Sequence, residues 1–167
     1  MRSKFAYSIA GVLALLGVAF LAGMDSVKAE TGSIAVENAW ARATPKGTKV
    51  ASGYLTIKNQ GNEPDRLVSA RADFAGKAEI HLTKMVDGVA QMRPVTDGLA
   101  IPAKGSVALE PNSYHLMFVD LAGPLSEGET VRGELIFELA GSVAVTFQVM
   151  GIGAQAPDAQ SQEHHHH

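Results

Sequence analysis

The sequence predicts an all-β domain of the Greek-key sandwich or barrel class. Short runs rich in β-branched and aromatic residues recur from Ile34 onward, and Gly-, Pro-, Asn- and Asp-rich clusters interrupt them every dozen or so residues. No stretch of the same region carries a 3.6-residue apolar period over the length of a helix. Many short strands at that spacing are buried most economically in a closed or two-layer β structure.

The elements follow in order. A run at 33–40 stops before Thr44-Pro45-Lys46-Gly47, and a second at 50–58 meets the polar cluster 59–65. Runs at 66–72 and 78–85 come next. Asp87-Gly88 is then a two-residue turn whose residues tolerate positive φ, returning the chain through 90–95 as a hairpin. Thr96-Asp97-Gly98 leads to a short run at 99–101, Ala103-Lys104-Gly105 to 106–110, and Pro111-Asn112-Ser113 to 114–121. After the glycine-bounded segment 123–128, runs at 131–139 and 142–150 form a last hairpin about Gly141-Ser142. No internal repeat is visible.

Composition narrows the function. The 167 residues include no Cys, 46% are hydrophobic and 19% charged, which excludes a disordered chain and a disulfide scaffold. Without Cys there is no thiol nucleophile, zinc-thiolate site, iron–sulfur ligation or thiolate blue copper. A net charge of −3 offers no basic surface for nucleic acid.

The ends are distinct from the domain. Arg2 and Lys4 precede an uncharged stretch at 5–24 rich in Ala, Leu, Val and Gly, and Val27-Lys28-Ala29 supplies the small-residue pattern of a cleavage site. Residues 1–29 therefore read as a secretory signal peptide, 30–152 as the folded domain and 153–167 as a disordered tail. The rival reading of 5–24 is an uncleaved membrane anchor. Removing Arg2, Lys4, Lys28 and Asp25 with the signal leaves 11 basic and 16 acidic residues, net −5. The mature protein is expected to be periplasmic, without stable membrane insertion, and monomeric.

Inside the domain the soft donors are scarce. Of six His, four are terminal (His164, His165, His166 and His167), so His81 and His115 stand alone, beside Met85, Met92, Met117 and Met150. His115 and Met117 are i and i+2 in one strand, on one face about 7 Å apart, with Leu116 and Phe118 turned to the core. The Asp87-Gly88 turn could return Met92 to the rim that holds His81. Two imidazoles and two thioethers would suit Cu(I) and not hard cations. The competing reading is packing, since Met is a versatile core filler. Spacing does not decide between them.

The pattern resembles a known family. His81, ten residues, Met92, twenty-two residues and His115-x-Met117 are similar to the signature of the periplasmic copper chaperones called PCuAC. The likeness extends to Asn38-Ala39-Trp40-Ala41-Arg42-Ala43-Thr44-Pro45, to Ala51-Ser52-Gly53-Tyr54 with Asn59, and to Met92-Arg93-Pro94-Val95, covering about 33–150. The resemblance implies a cupredoxin-like fold and a Cu(I) site of His81, Met92, His115 and Met117. It also implies delivery of copper to the copper subunit of cytochrome c oxidase, directly or with a thioredoxin-like Sco-type protein.

Other residues have plainer readings. Met85 is a spare ligand or, more readily, a half-buried rim side chain. Trp40 reads as core, and Glu79, Asp87 and Asp97 as solvated charges or weak cation steering. The terminal His run could hold Cu(II) as a native tail, or be a tag. No phosphate loop or HExxH motif appears, so an enzyme is not expected. The alternatives to a copper chaperone are a metal-free adhesion or assembly module and a copper buffer or store; electron transfer at a site without thiolate is the weakest.

Overall fold

The computed structural model describes residues 33–156, so the expected signal peptide at 1–29 and the four terminal histidines lie outside the described residues. Each run read from the sequence becomes a strand, with ends displaced by three residues at most. The strands are β1 (Ile34–Arg42), β2 (Val50–Asn59), β3 (Asp65–Ala72), β4 (Ala75–Val86) and β5 (Val89–Pro94). They continue with β6 (Leu99–Ile101), β7 (Ser106–Leu109), β8 (Tyr114–Leu121), β9 (Thr130–Phe137) and β10 (Gly141–Met150). There is no helix among the described residues.

Seven strands close on themselves in the order β4, β8, β2, β1, β10, β9 and β3, the last returning to β4 where Ala70 faces Ala78. Closure leaves those strands with few free edges. β5, β6 and β7 add to the outer edges of β4, β3 and β2. The pairing of β1 with β10 is parallel, and the other pairings are antiparallel.

Alternation drives the packing. In β10, Val143, Val145, Phe147 and Val149 enter the barrel at every second position, and Leu116 and Phe118 do so from β8. Phe118 lies edge-on to Phe74 and Phe147, at 4.7 and 5.4 Å between centroids. Gly53 makes room for it: a Cβ there would stand 2.5 Å from Phe118 Cε2.

Two turns match their residues. Asp87 and Gly88, at φ 51° and 78°, join Val86 to Val89 as a primed two-residue turn whose twist suits a hairpin. The last hairpin differs from its expected form. Its loop is residues 138–140, with Gly141 at φ 72° pairing with Phe137 and Ser142 already within β10. The buried Asp65 carboxylate anchors that loop by accepting from Leu139 N–H and Ala140 N–H, both at 2.9 Å.

A bulge in β1 decides which side chains face outward at the site. The register with β2 shifts between Glu37 and Trp40, where Asn38 has φ 52°. Ile34 and Val36 point inward before the bulge, and Ala39, Ala41 and Ala43 after it. Trp40 and Arg42 are thereby turned to the outer wall. Trp40 is 4% exposed but stands outside the apolar cluster of the barrel, so the expectation of a core Trp holds for burial and not for place.

Candidate metal centre

One row of side chains crosses the outer wall. The registers set Trp40 opposite Tyr54, His81 opposite His115, and Pro94 opposite His81. Tyr54 falls beside His115, with 6.4 Å between ring centroids, because Gly53 pairs with Leu116. The two imidazoles are 5.9 Å apart.

The next rows supply the thioethers. Met117 lies opposite Glu79 and Ser52, two residues along β8 from His115, while Met92 lies opposite Thr83, two along β4 from His81. By the two-residue period, His81, Met92, His115 and Met117 share one face. The structure brings His81, His115 and Met92 together, with His115 Nε2 and Met92 Sδ 3.2 Å apart; Met117 shares their face two residues along β8 from His115, on the side away from Met92. Met85 is on the same face toward the hairpin tip and 61% exposed.

Burial differs sharply across this face. His81 and His115 are 9% and 5% exposed, Met117 is half-buried, and Met92 alone is open, at 51%. Tyr54 on β2 flanks His115, and β5 runs along the other side of His81. Met92 is carried on β5, every residue of which is exposed.

Hydrogen bonds fix the tautomers. The Ser113 carbonyl accepts from Thr83 N–H and from His115 Nδ1, both at 3.1 Å. A carbonyl cannot donate, so Nδ1 carries the proton and His115 Nε2 turns a lone pair toward Met92 Sδ, itself no donor. The Glu79 carboxylate stands 3.0 Å from His81 Nε2, which therefore holds the proton there. His81 Nδ1 is left buried with no hydrogen-bond partner among the described residues. Burial pushes the His115 pKa below 6.5; the Ser113 hydrogen bond opposes the shift and the neighbouring His81 adds to it.

A bare buried lone pair, a second facing a thioether and a further thioether on the same face form a neutral soft donor set. Such donors suit a soft monovalent cation such as Cu(I); a hard cation would find one carboxylate. Among the described residues no group of three or more His, Asp or Glu side chains offers a hard site.

Sequence reasoning missed three parts of this face. It took Glu79 for a solvated charge, although its place two residues before His81 already set both on one side. It did not single out the Ser113 carbonyl, and backbone acceptors leave no mark in residue identity. The third is Arg42, whose guanidinium lies 5.4 Å from the Tyr54 ring and 5.9 Å from that of Trp40 while Nε donates to Ala154 O at 3.0 Å. Asp87 and Asp97 are turn residues, the latter accepting from Arg66 through its carbonyl.

Comparison with known proteins bears on the same region. The profile of the family described as "Putative lipoprotein LpqE-like" matches residues 34–149. "Putative lipoprotein Lxx21020" of Leifsonia xyli subsp. xyli is 29% identical over 108 residues, 65% of this chain and 64% of that protein. The chain therefore spans a little under two thirds of that relative's length. The solved structure described as "Copper-bound PCuAC domain from PmoF2" superposes with a TM-score of 0.60 at 25% identity, covering 72% of this chain and 94% of that one. The solution structure of CuI-DR1885 from Deinococcus radiodurans gives 0.55 at 27% identity, over 74% and 85%. The all-β barrel is thus a PCuAC-like, cupredoxin-like fold.

Proposed function

The chain belongs to the LpqE-like family, and we propose that it is an exported copper carrier that holds Cu(I) through His81, Met92, His115 and Met117. One observation carries the reading. His81 and His115 stand opposite each other with lone pairs that no donor satisfies, and a methionine sulfur lies 3.2 Å from one of them. Thioethers and neutral imidazoles prefer Cu(I), and without a thiolate such a site gives little support to Cu(II).

Support comes from the likeness to a copper-bound PCuAC domain and to a Cu(I)-bound protein of the same fold. Export is supported by the lipoprotein description of the family and by the signal-like residues 1–29. A periplasmic location fits both, and the 167 residues contain no Cys to carry a lipid thioether. The protein acts as a monomeric carrier without turnover. Its copper passes to the copper subunit of cytochrome c oxidase, directly or by way of a Sco-type thioredoxin-like protein. Any Cu(II) held by the terminal His run is a separate store.

The test is anaerobic Cu(I) titration against a competing chelator, with the four terminal histidines changed to Ala. One equivalent bound, with sulfur and nitrogen scatterers in the X-ray absorption spectrum, is expected. No competition with the chelator would leave a metal-free β module.

A further inference from the structure

We infer that Glu79 is the positioning residue of this centre, fixing His81 as the Nε2–H tautomer so that His81 offers copper Nδ1 while His115 offers Nε2. The inference rests on the Cu(I) reading above and extends it from residues to atoms and to a side chain that is not itself a ligand.

The geometry leaves each ring one free nitrogen. On His81, Nε2 is 3.0 Å from Glu79 Oε2 and Nδ1 is buried without a partner. On His115 the assignment is reversed, because Nδ1 is spent on the Ser113 carbonyl and Nε2 faces Met92 Sδ. An orienting group for each ligating imidazole is a general feature of metal sites, where the non-ligating N–H is donated to a carboxylate or carbonyl. This face has one of each.

Glu79 brings something the Ser113 carbonyl does not. Its formal negative charge stands beside a donor set that is otherwise neutral, and across β8 its neighbour in the ladder is Met117, a ligand. A bound Cu(I) would leave that set with an uncompensated positive charge among buried groups. The carboxylate offsets it, and it strengthens the donor character of the imidazole it holds. Because Glu79 is itself partly exposed, at 43% of its side chain, it can do this without being a desolvated charge.

The experiment is a long-range 1H–15N correlation spectrum of the imidazole rings in the 15N-labelled full chain, apo and after one equivalent of Cu(I) under anaerobic conditions. In the apo protein His81 should show a protonated Nε2 and a bare Nδ1, and His115 the reverse. Copper should shift His81 Nδ1 and His115 Nε2. Glu79→Gln keeps an acceptor oxygen and should preserve this pattern while weakening Cu(I) about 10-fold. Glu79→Ala should mix the His81 tautomers and weaken binding toward 100-fold.

The outcomes separate. A wild-type chain that takes up no Cu(I) overturns the copper reading and this inference with it. A wild-type chain that binds Cu(I) through His81 Nε2 overturns this inference alone. So does a Glu79→Ala variant whose affinity stays within twofold, which would leave Glu79 a merely structural neighbour.

Discussion

His81 and His115 face each other directly across β4 and β8, with ring centroids 5.9 Å apart and planes inclined at 53°. Their neighbours in the chain hold them there. Leu116 and Phe118 are sealed in the barrel and Ile80 and Leu82 are buried beside the histidines, so a slip of one residue in either strand would drive an imidazole inward and an apolar side chain out. The packing of the core therefore sets the spacing of the two nitrogen donors. Met92 is less constrained, because it arrives on a strand that is exposed throughout.

Met92 is for that reason the cleanest of the proposed ligands to remove. With half its surface in water, truncation to Ala should change stability by no more than about 0.5 kcal/mol. Cu(I) affinity should nevertheless fall at least tenfold. His115→Ala should weaken copper binding too, but it also empties a buried position, at a cost of about 1–3 kcal/mol. Urea denaturation beside chelator competition distinguishes the two patterns. Equal affinity after Met92→Ala would remove it from the site.

Acidification should destabilise the apo domain through His115. Burial holds its folded-state pKa below the 6.5 of an exposed imidazole. As pH falls through 6.5, the unfolded chain takes up a proton that the folded chain resists, so the unfolded state binds more protons and folding stability drops. The loss runs from about 6.5 down to the depressed folded value, and above that window this histidine contributes no slope. Urea midpoints measured between pH 5 and 8 should show it, and His115→Asn should flatten the curve. For the same reason, protons should compete with Cu(I) at His115 only at a pH below that at which a free imidazole begins to lose metal.

The strand pattern was legible because alternation is a local property, and each of the ten runs could be read from its own residues. Barrel closure was not, since the meeting of Ala70 with Ala78 leaves no trace in either segment. The side of β1 on which Trp40 is buried was not legible either, for a sharper reason. The bulge between Glu37 and Trp40 inserts a residue and swaps inside for outside, and a residue at φ 52° such as Asn38 is compatible with many turns. The four soft donors were legible from their scarcity and spacing. The burial of His115 was not, because Tyr54 beside it stands on β2, a strand brought next to β8 only by the fold.

Gly53→Ala should be costly out of proportion to its size. The added methyl would meet Phe118 Cε2 at 2.5 Å and Cζ at 2.9 Å, and Phe118 is wedged between Phe74 and Phe147. Overpacking of this kind costs about 1–3 kcal/mol. Thermal unfolding should show a clear drop in Tm, whereas Gly123→Ala, with open space at the Cβ position, should leave it nearly unchanged. Equal midpoints would mean that the core yields at Phe118.

Transfer of copper should begin at Met92. A carrier must retain Cu(I) against water and release it to a stronger ligand, and ligand exchange needs a donor that can leave while another arrives. His81 and His115 are buried, and Met117 is half-buried, whereas Met92 is 51% exposed on β5, an edge strand among the described residues. An incoming thiolate can therefore displace one thioether while the imidazoles still hold the metal, so copper need never be free and the barrel need not open. Loaded protein mixed with an apo dithiol acceptor of the Sco or oxidase copper-domain type should pass on its copper with its own strand content unchanged in circular dichroism. Met92→Ala, loaded at high protein concentration, should give up copper faster, because its weaker hold leaves an open position at the point of attack. Retention of all copper by the wild-type protein, against an acceptor shown competent with free Cu(I), would turn the carrier into a store.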